Sequence, residues 1–172
     1  MTPLVRRLLA LPLALLAVAC VAPDPKAVLE ITDVETYWAV DTAAGERIYI
    51  APVVRFTVRN KGPEELRTVQ ASANFRRKGE EELEWGGAFE DVTPTGKPLP
   101  RGGSRLVVLK SDGRYYSSGD PHAFFEHAQF KDARAQVWLR VGNSRWSLFG
   151  EPDIDRRIGS RTVEGLLLSP PQ

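Results

Sequence analysis

The chain is poor in metal-binding and redox side chains: one cysteine and two histidines in 172 residues. A lone cysteine cannot form a disulfide within the chain, so stability must come from packing and sheet hydrogen bonds. His122 and His127 are five positions apart, which on a helix turns them about 140° from one another. Helical zinc sites pair histidines at i and i+4, so no metal site is expected. An excess of charge of one sign is also missing, since 23 Lys and Arg stand against 22 Asp and Glu. Nucleic acid needs a concentrated positive field and is not an expected partner. No apolar run reaches the roughly 20 residues of a membrane-spanning helix. Gly102-Gly103 lacks the spacing of a phosphate loop, and no cofactor is expected. There is no internal repeat or low-complexity segment, and 42% hydrophobic residues is too many for a disordered polymer.

What is present begins at the N-terminus. Arg6 and Arg7 precede an uncharged apolar run, Leu8 to Val18, and small residues lead into Cys20. Pro23, Asp24, Pro25 and Lys26 then end the run. Charge, length and flanks predict a secretory signal peptide over residues 1–19 rather than a span. Leu16-Ala17-Val18-Ala19-Cys20 resembles the lipobox of bacterial lipoproteins. The resemblance implies a diacylglyceryl group on the thiol of Cys20, cleavage just before it, and acylation of the new amine. A single acyl chain binds membranes only marginally, whereas two or three anchor stably. Val21 follows the cysteine where aspartate would retain an enterobacterial lipoprotein at the inner membrane. The resemblance therefore favours the outer membrane, facing the periplasm. Without residues 1–19, Lys plus Arg falls from 23 to 21 against 22 acids, a net charge of −1.

Residues 20–27 read as the lipidated N-terminus and a tether, and residues 28–172 as one domain with a C-terminal tail from about 152. Within the domain the apolar period is close to two. Ile48, Ile50, Val54, Phe56 and Val58 alternate with polar residues, with Pro52 marking an edge position or a bulge. Asn60-Lys61-Gly62-Pro63 turns the chain. Val69, Ala71, Ala73 and Phe75 give a second strand. Leu83, Trp85 and Phe89 read as a third, and Leu106 to Leu109 as a strand covered on both faces. Ala135, Val137, Leu139 and Val141 form another, joined through Gly142-Asn143-Ser144 to Trp146 and Leu148. In the first strand the apolar parity of Leu29 and Ile31 changes near Asp33, which predicts a bulge or bend. One short helix is expected, capped by Asp120, with Pro121 in its first turn and running from His122 to Gln129. This pattern predicts an all-β, immunoglobulin-like antiparallel sandwich. Val53 to Glu80 also resembles the strand, Asn, turn, strand pattern of FxLYD-type domains of bacterial envelope proteins. That resemblance supports the fold and implies no activity.

The candidate chemistry is sparse. Tyr115 to His127 gathers both histidines with Ser117, Ser118, Asp120 and Glu126. A hydrolase would need a serine, its base and an orienting acid in mutual contact. The plainer reading makes Asp120 a helix cap and the serines its entry turn. Trp85 and Trp146 fall on the apolar parity of their strands and are expected in the core. Trp138 falls on the polar face with Arg134, Gln136 and Arg140. It either lies under the segment Thr162 to Leu168 or, with Arg140, forms a binding surface. Tyr115 and Tyr116 are a second candidate contact patch. The sequence thus predicts a lipid-anchored envelope lipoprotein, not an enzyme, that binds another envelope component. The membrane, through Cys20, and another envelope protein are the expected partners. A glycan or small ligand held by exposed aromatics is the alternative, with a hydrolase behind it.

Overall fold

The computed structural model describes residues 23–42, 48–117 and 120–159. The leader, Cys20, Ser118 and the segment Thr162 to Leu168 lie outside the described residues. Eight strands form two antiparallel sheets. The first contains β1 (Leu29–Thr42), β2 (Ile48–Asn60) and β5 (Ser104–Lys110) in the order β1-β2-β5, and β6 (Tyr115–Ser117) also pairs with β2. The second has the order β4-β3-β7-β8, from β3 (Val69–Arg77), β4 (Gly86–Asp91), β7 (Ala133–Val141) and β8 (Ser147–Gly150). This is the immunoglobulin-like sandwich the alternation predicts.

The period of two is visible in burial. Along β3 and β7 every second residue is buried: Val69, Ala71, Ala73 and Phe75 on one strand, Ala133, Ala135, Val137, Leu139 and Val141 on the other. They meet Val54, Phe56 and Val58 of β2 and Val107 and Leu109 of β5 in one continuous core. Fully buried Trp38 of β1 is at the centre of a ring cluster with Trp85, Tyr115, Phe125 and Phe130, at centroid distances of 5.1–6.3 Å.

Asn60, fully buried, ends β2 and ties down the loops beyond it. Its Nδ2 donates to the carbonyls of Glu64 (2.7 Å), Leu99 (3.1 Å) and Pro100 (3.2 Å), and its Oδ1 accepts the N–H of Gly62 at 2.9 Å. An amide satisfies both needs, because it carries two donors and an acceptor. At the other end of the sandwich, Gly86 and Gly113 let β4 approach the β5–β6 connection. A Cβ on Gly86 would meet the Gly113 nitrogen at 2.5 Å.

Several expectations need correction. Pro52 is buried in a central strand, not at an edge. Its carbonyl accepts the N–H of Ser111 at 3.0 Å, where β2 passes from pairing with β5 to pairing with β6. The missing proline N–H therefore falls in a gap between partners. β5 is covered on one face only, with Leu106 41% and Val108 36% exposed. β4 starts at Gly86, so Leu83 belongs to the preceding turn and is exposed. The expected parity change is a register shift between Thr32 and Glu35, with Asp33 at φ +52°.

Two short helices are present where one was expected. Pro25–Val28 is helical, capped by the Asp24 carboxylate on the N–H of Lys26 at 3.0 Å, so folded chain begins inside the expected tether. The second helix is 3-10 rather than α and stops at Glu126. Asp120 caps it as expected, accepting the N–H of His122 at 2.9 Å. Adjacent Phe124 and Phe125 both pack inward, which suits a tight short turn better than an extended helix.

After β8 the chain crosses from the second sheet back to the first. Arg134 of β7 bridges to Asp153. Buried Thr36 of β1 donates its hydroxyl to the Asp153 carbonyl and accepts the N–H of Asp155, both at 3.0 Å. Ile158 then pairs in parallel with Trp38. Residues 151–159 thus close one side of the sandwich, with Ile154 buried in the core.

Candidate functional site

Trp138 and Arg140 stand on the outer face of the second sheet, because Val137, Leu139 and Val141, which alternate with them, point into the core. Ser72 of β3 is the cross-strand partner of Trp138, and Gln70 that of Arg140. Arg140 donates through Nε to Gln70, whose amide donates to Asp91 of β4 at 2.8 Å. The Arg140 guanidinium also lies 4.7 Å over the ring of Trp146.

Trp146 corrects its core assignment. Leu148 of β8 is the cross-strand partner of outward-facing Trp138, and Ser147 that of inward-facing Leu139. Trp146 shares the parity of Leu148, so, while Phe149 packs toward the core, the indole lies over the outer face. There it meets Phe89 edge-on at 6.4 Å, and Phe89 is 55% exposed. Between the two indoles runs a shallow groove of about 370 Å³ with Ser72 and Asn74 in its lining. Trp85, in contrast, packs against the core, 4.9 Å from Tyr115 and 6.2 Å from Trp38.

The two tyrosines do not join this face, since β6 belongs to the first sheet. They also separate from each other, because neighbours on a strand point to opposite sides. Tyr115 turns inward against Trp38, Trp85 and Phe130. Its hydroxyl accepts the N–H of Lys131 (3.2 Å) and donates to the Lys131 carbonyl (3.3 Å). Tyr115 thus packs chiefly against the core rings. Tyr116 turns outward, 70% exposed, beside Tyr49 of β2. The two are a cross-strand pair with ring centroids 6.2 Å apart.

The Tyr115 to His127 segment does not assemble a relay among the described residues. The Asp120 carboxylate holds a backbone N–H rather than an imidazole. His127 uses Nδ1 to accept the N–H of Gln129 at 3.2 Å. No group of three or more potential metal ligands occurs among the described residues.

The perturbed carboxylates lie elsewhere, and each has a structural cause. Lys131 and Arg77 hold Glu80 below the usual carboxylate range, the Lys131 hydrogen bond contributing most. Arg134 and Lys78 do the same for Asp153, and Arg156 for Asp132. The Asp153 and Asp132 pairs fasten residues 153–156 to the second sheet and to the segment just before β7.

No family model and no curated protein matches the chain. Solved structures share a partial likeness. A β-glucuronidase of glycoside hydrolase family 2 is 11% identical with a TM-score of 0.43, over 73% of this chain and 12% of its own. Bacteroides uniformis β-glucuronidase 2 is 13% identical with a TM-score of 0.40, over 73% and 12%. A structural-genomics target is 6% identical with a TM-score of 0.43, over 76% and 89%. The chain thus spans about an eighth of the length of either glucuronidase.

Proposed function

We propose that the protein is a lipid-anchored lipoprotein of the bacterial cell envelope that works by binding, not by catalysis. Acyl chains on Cys20 hold it to the membrane, at the outer membrane facing the periplasm. The outer face of β3 and β7 captures another envelope protein. The observation that carries this reading is the pair of indoles, Trp138 and Trp146, left partly exposed on a sheet face with Arg140 stacked on one of them. Tryptophan and arginine dominate interface energetics when their surroundings hold them rigid. Here Gln70 and Asp91 provide that support.

Capture of the partner from solubilised envelopes tests the reading. Trp138→Ala should weaken capture by roughly thirtyfold, about 2 kcal/mol, with the fold unchanged. Undiminished capture by that variant would remove the face from consideration. A second reading, recognition of a glycan on the same face, is favoured by Ser72 and Asn74 lying beside the two indoles in the groove. Competition by soluble saccharides against capture separates the two.

A further inference from the structure

We infer that the cleft at the β6 end of the sandwich binds a small anion, a carboxylate or phosphate group carried on a flat apolar body. The cleft, about 530 Å³, opens between β6, the 3-10 helix and the end of β3. That size is within the range of small-ligand sites. Among the described residues its walls carry Arg77, Arg114 and His127 and no carboxylate.

Arg114 is the central feature. Its guanidinium lies 4.4 Å over the ring of Tyr49 and makes no ion pair among the described residues. Across the cleft, Arg77 shares Glu80 with Lys131, so two cations answer one carboxylate. Of the described residues that line the cleft, the two with a permanent charge, Arg77 and Arg114, are both positive. A guanidinium presents a planar fork that matches carboxylate and phosphate oxygens. His127 adds a donor, because Nδ1 accepts from Gln129 and leaves the proton of the neutral ring on Nε2. The exposed ring of Tyr116, with Phe130, supplies apolar surface for the body that carries the anion. A cation would be repelled by the two arginines, and a neutral ring would not use their donors.

Phenyl phosphate is a suitable probe, titrated into the full-length protein in detergent while backbone amide shifts are followed by NMR. Saturable shifts are expected at Arg114 to Tyr116 and at Gln129. Arg114→Gln should weaken binding about tenfold, the loss of one charge-assisted pair. Tyr116→Ala should weaken phenyl phosphate yet leave inorganic phosphate unchanged, and Trp138→Ala should change neither. The inference is overturned if Arg114→Gln binds as the parent does, or if phenol shifts the same amides equally. It is also overturned if only anionic phosphatidylglycerol vesicles produce a response.

Discussion

The outer face around Trp138 and the cleft beside Tyr116 are built from the same materials, aromatic rings and arginines, yet the arginines behave differently. On the face, Arg140 is stacked on Trp146 and bonded to Gln70, and Arg134 is paired with Asp153. Arg134 has a carboxylate and Arg140 a hydrogen bond to a neutral amide, so both are held in place and what remains is a firm, mixed surface. In the cleft, Arg114 has a ring beneath it and no ion pair among the described residues. An arginine fixed by a side-chain hydrogen bond stiffens a surface for a macromolecule, whereas one held over a ring can turn its donors to an incoming anion. The supports differ too. The face rests on the strand ladder of β3 and β7, while the cleft rests on the ring cluster around Trp38.

That difference in support can be broken by mutation. Trp38→Ala removes the ring that Tyr115, Phe125 and Phe130 pack against and should cost about 4 kcal/mol. Denaturant unfolding measures the cost. In the folded population, amide shifts should concentrate around the cleft and leave Ser72 and Trp138 nearly still. Equal disturbance of both regions would show that they are not separately supported. Asn60→Ala should cost roughly 3 kcal/mol, because three carbonyls and one N–H lose a buried partner. Asn60 sits at the opposite end of β2 from β6, so partner capture and anion binding by the folded protein should not change. A shift in either affinity would contradict that independence.

The smallest effect concerns the closing segment. Arg134 and Lys78 hold the Asp153 carboxyl below its usual value, and Arg156 holds Asp132. A depressed carboxylate pKa stabilises the fold above the unfolded value of about 4, and this contribution is lost as pH falls through the folded value. Stability should therefore be level from neutral pH to about 5 and decline below about 4. Asp153→Asn should shallow that decline and cost under about 1 kcal/mol at neutral pH, because the pair is half exposed and screened by salt. Thermal melts across this pH range measure both.

Much of the sandwich was legible because its strands are half-buried ladders. Val69 to Phe75 and Ala133 to Val141 alternate without interruption, and each became a strand with the expected inner face. The misreadings fall where alternation alone does not decide. Trp146 and Leu148 form an apolar parity that reads as an inner face, yet Leu148 pairs opposite outward-facing Trp138, so in β8 the apolar pair covers the outer face. Pro52 argued for an edge, since no pattern in the chain reveals that β2 changes partners beside it. Leu106 to Leu109 reads as doubly covered, yet in a three-strand run β5 has only one face to pack. Of the candidate surface residues, Trp138 and Arg140 share a face by simple parity. Tyr115 and Tyr116 were grouped as a patch, although their adjacency on a strand sends them to opposite sides. The cleft was not legible, because Arg77 and Arg114 are 37 positions apart and only the fold brings them together.

The account depends most on Cys20. Membrane fractionation of the native cell, comparing the parent with Cys20→Ser, tests it directly. The parent should sediment with membranes and release only with detergent, and the variant should lose its stable membrane attachment, because the acyl chains on Cys20 are the proposed anchor. A Cys20→Ser protein that fractionates with membranes as the parent does would contradict the lipid anchor.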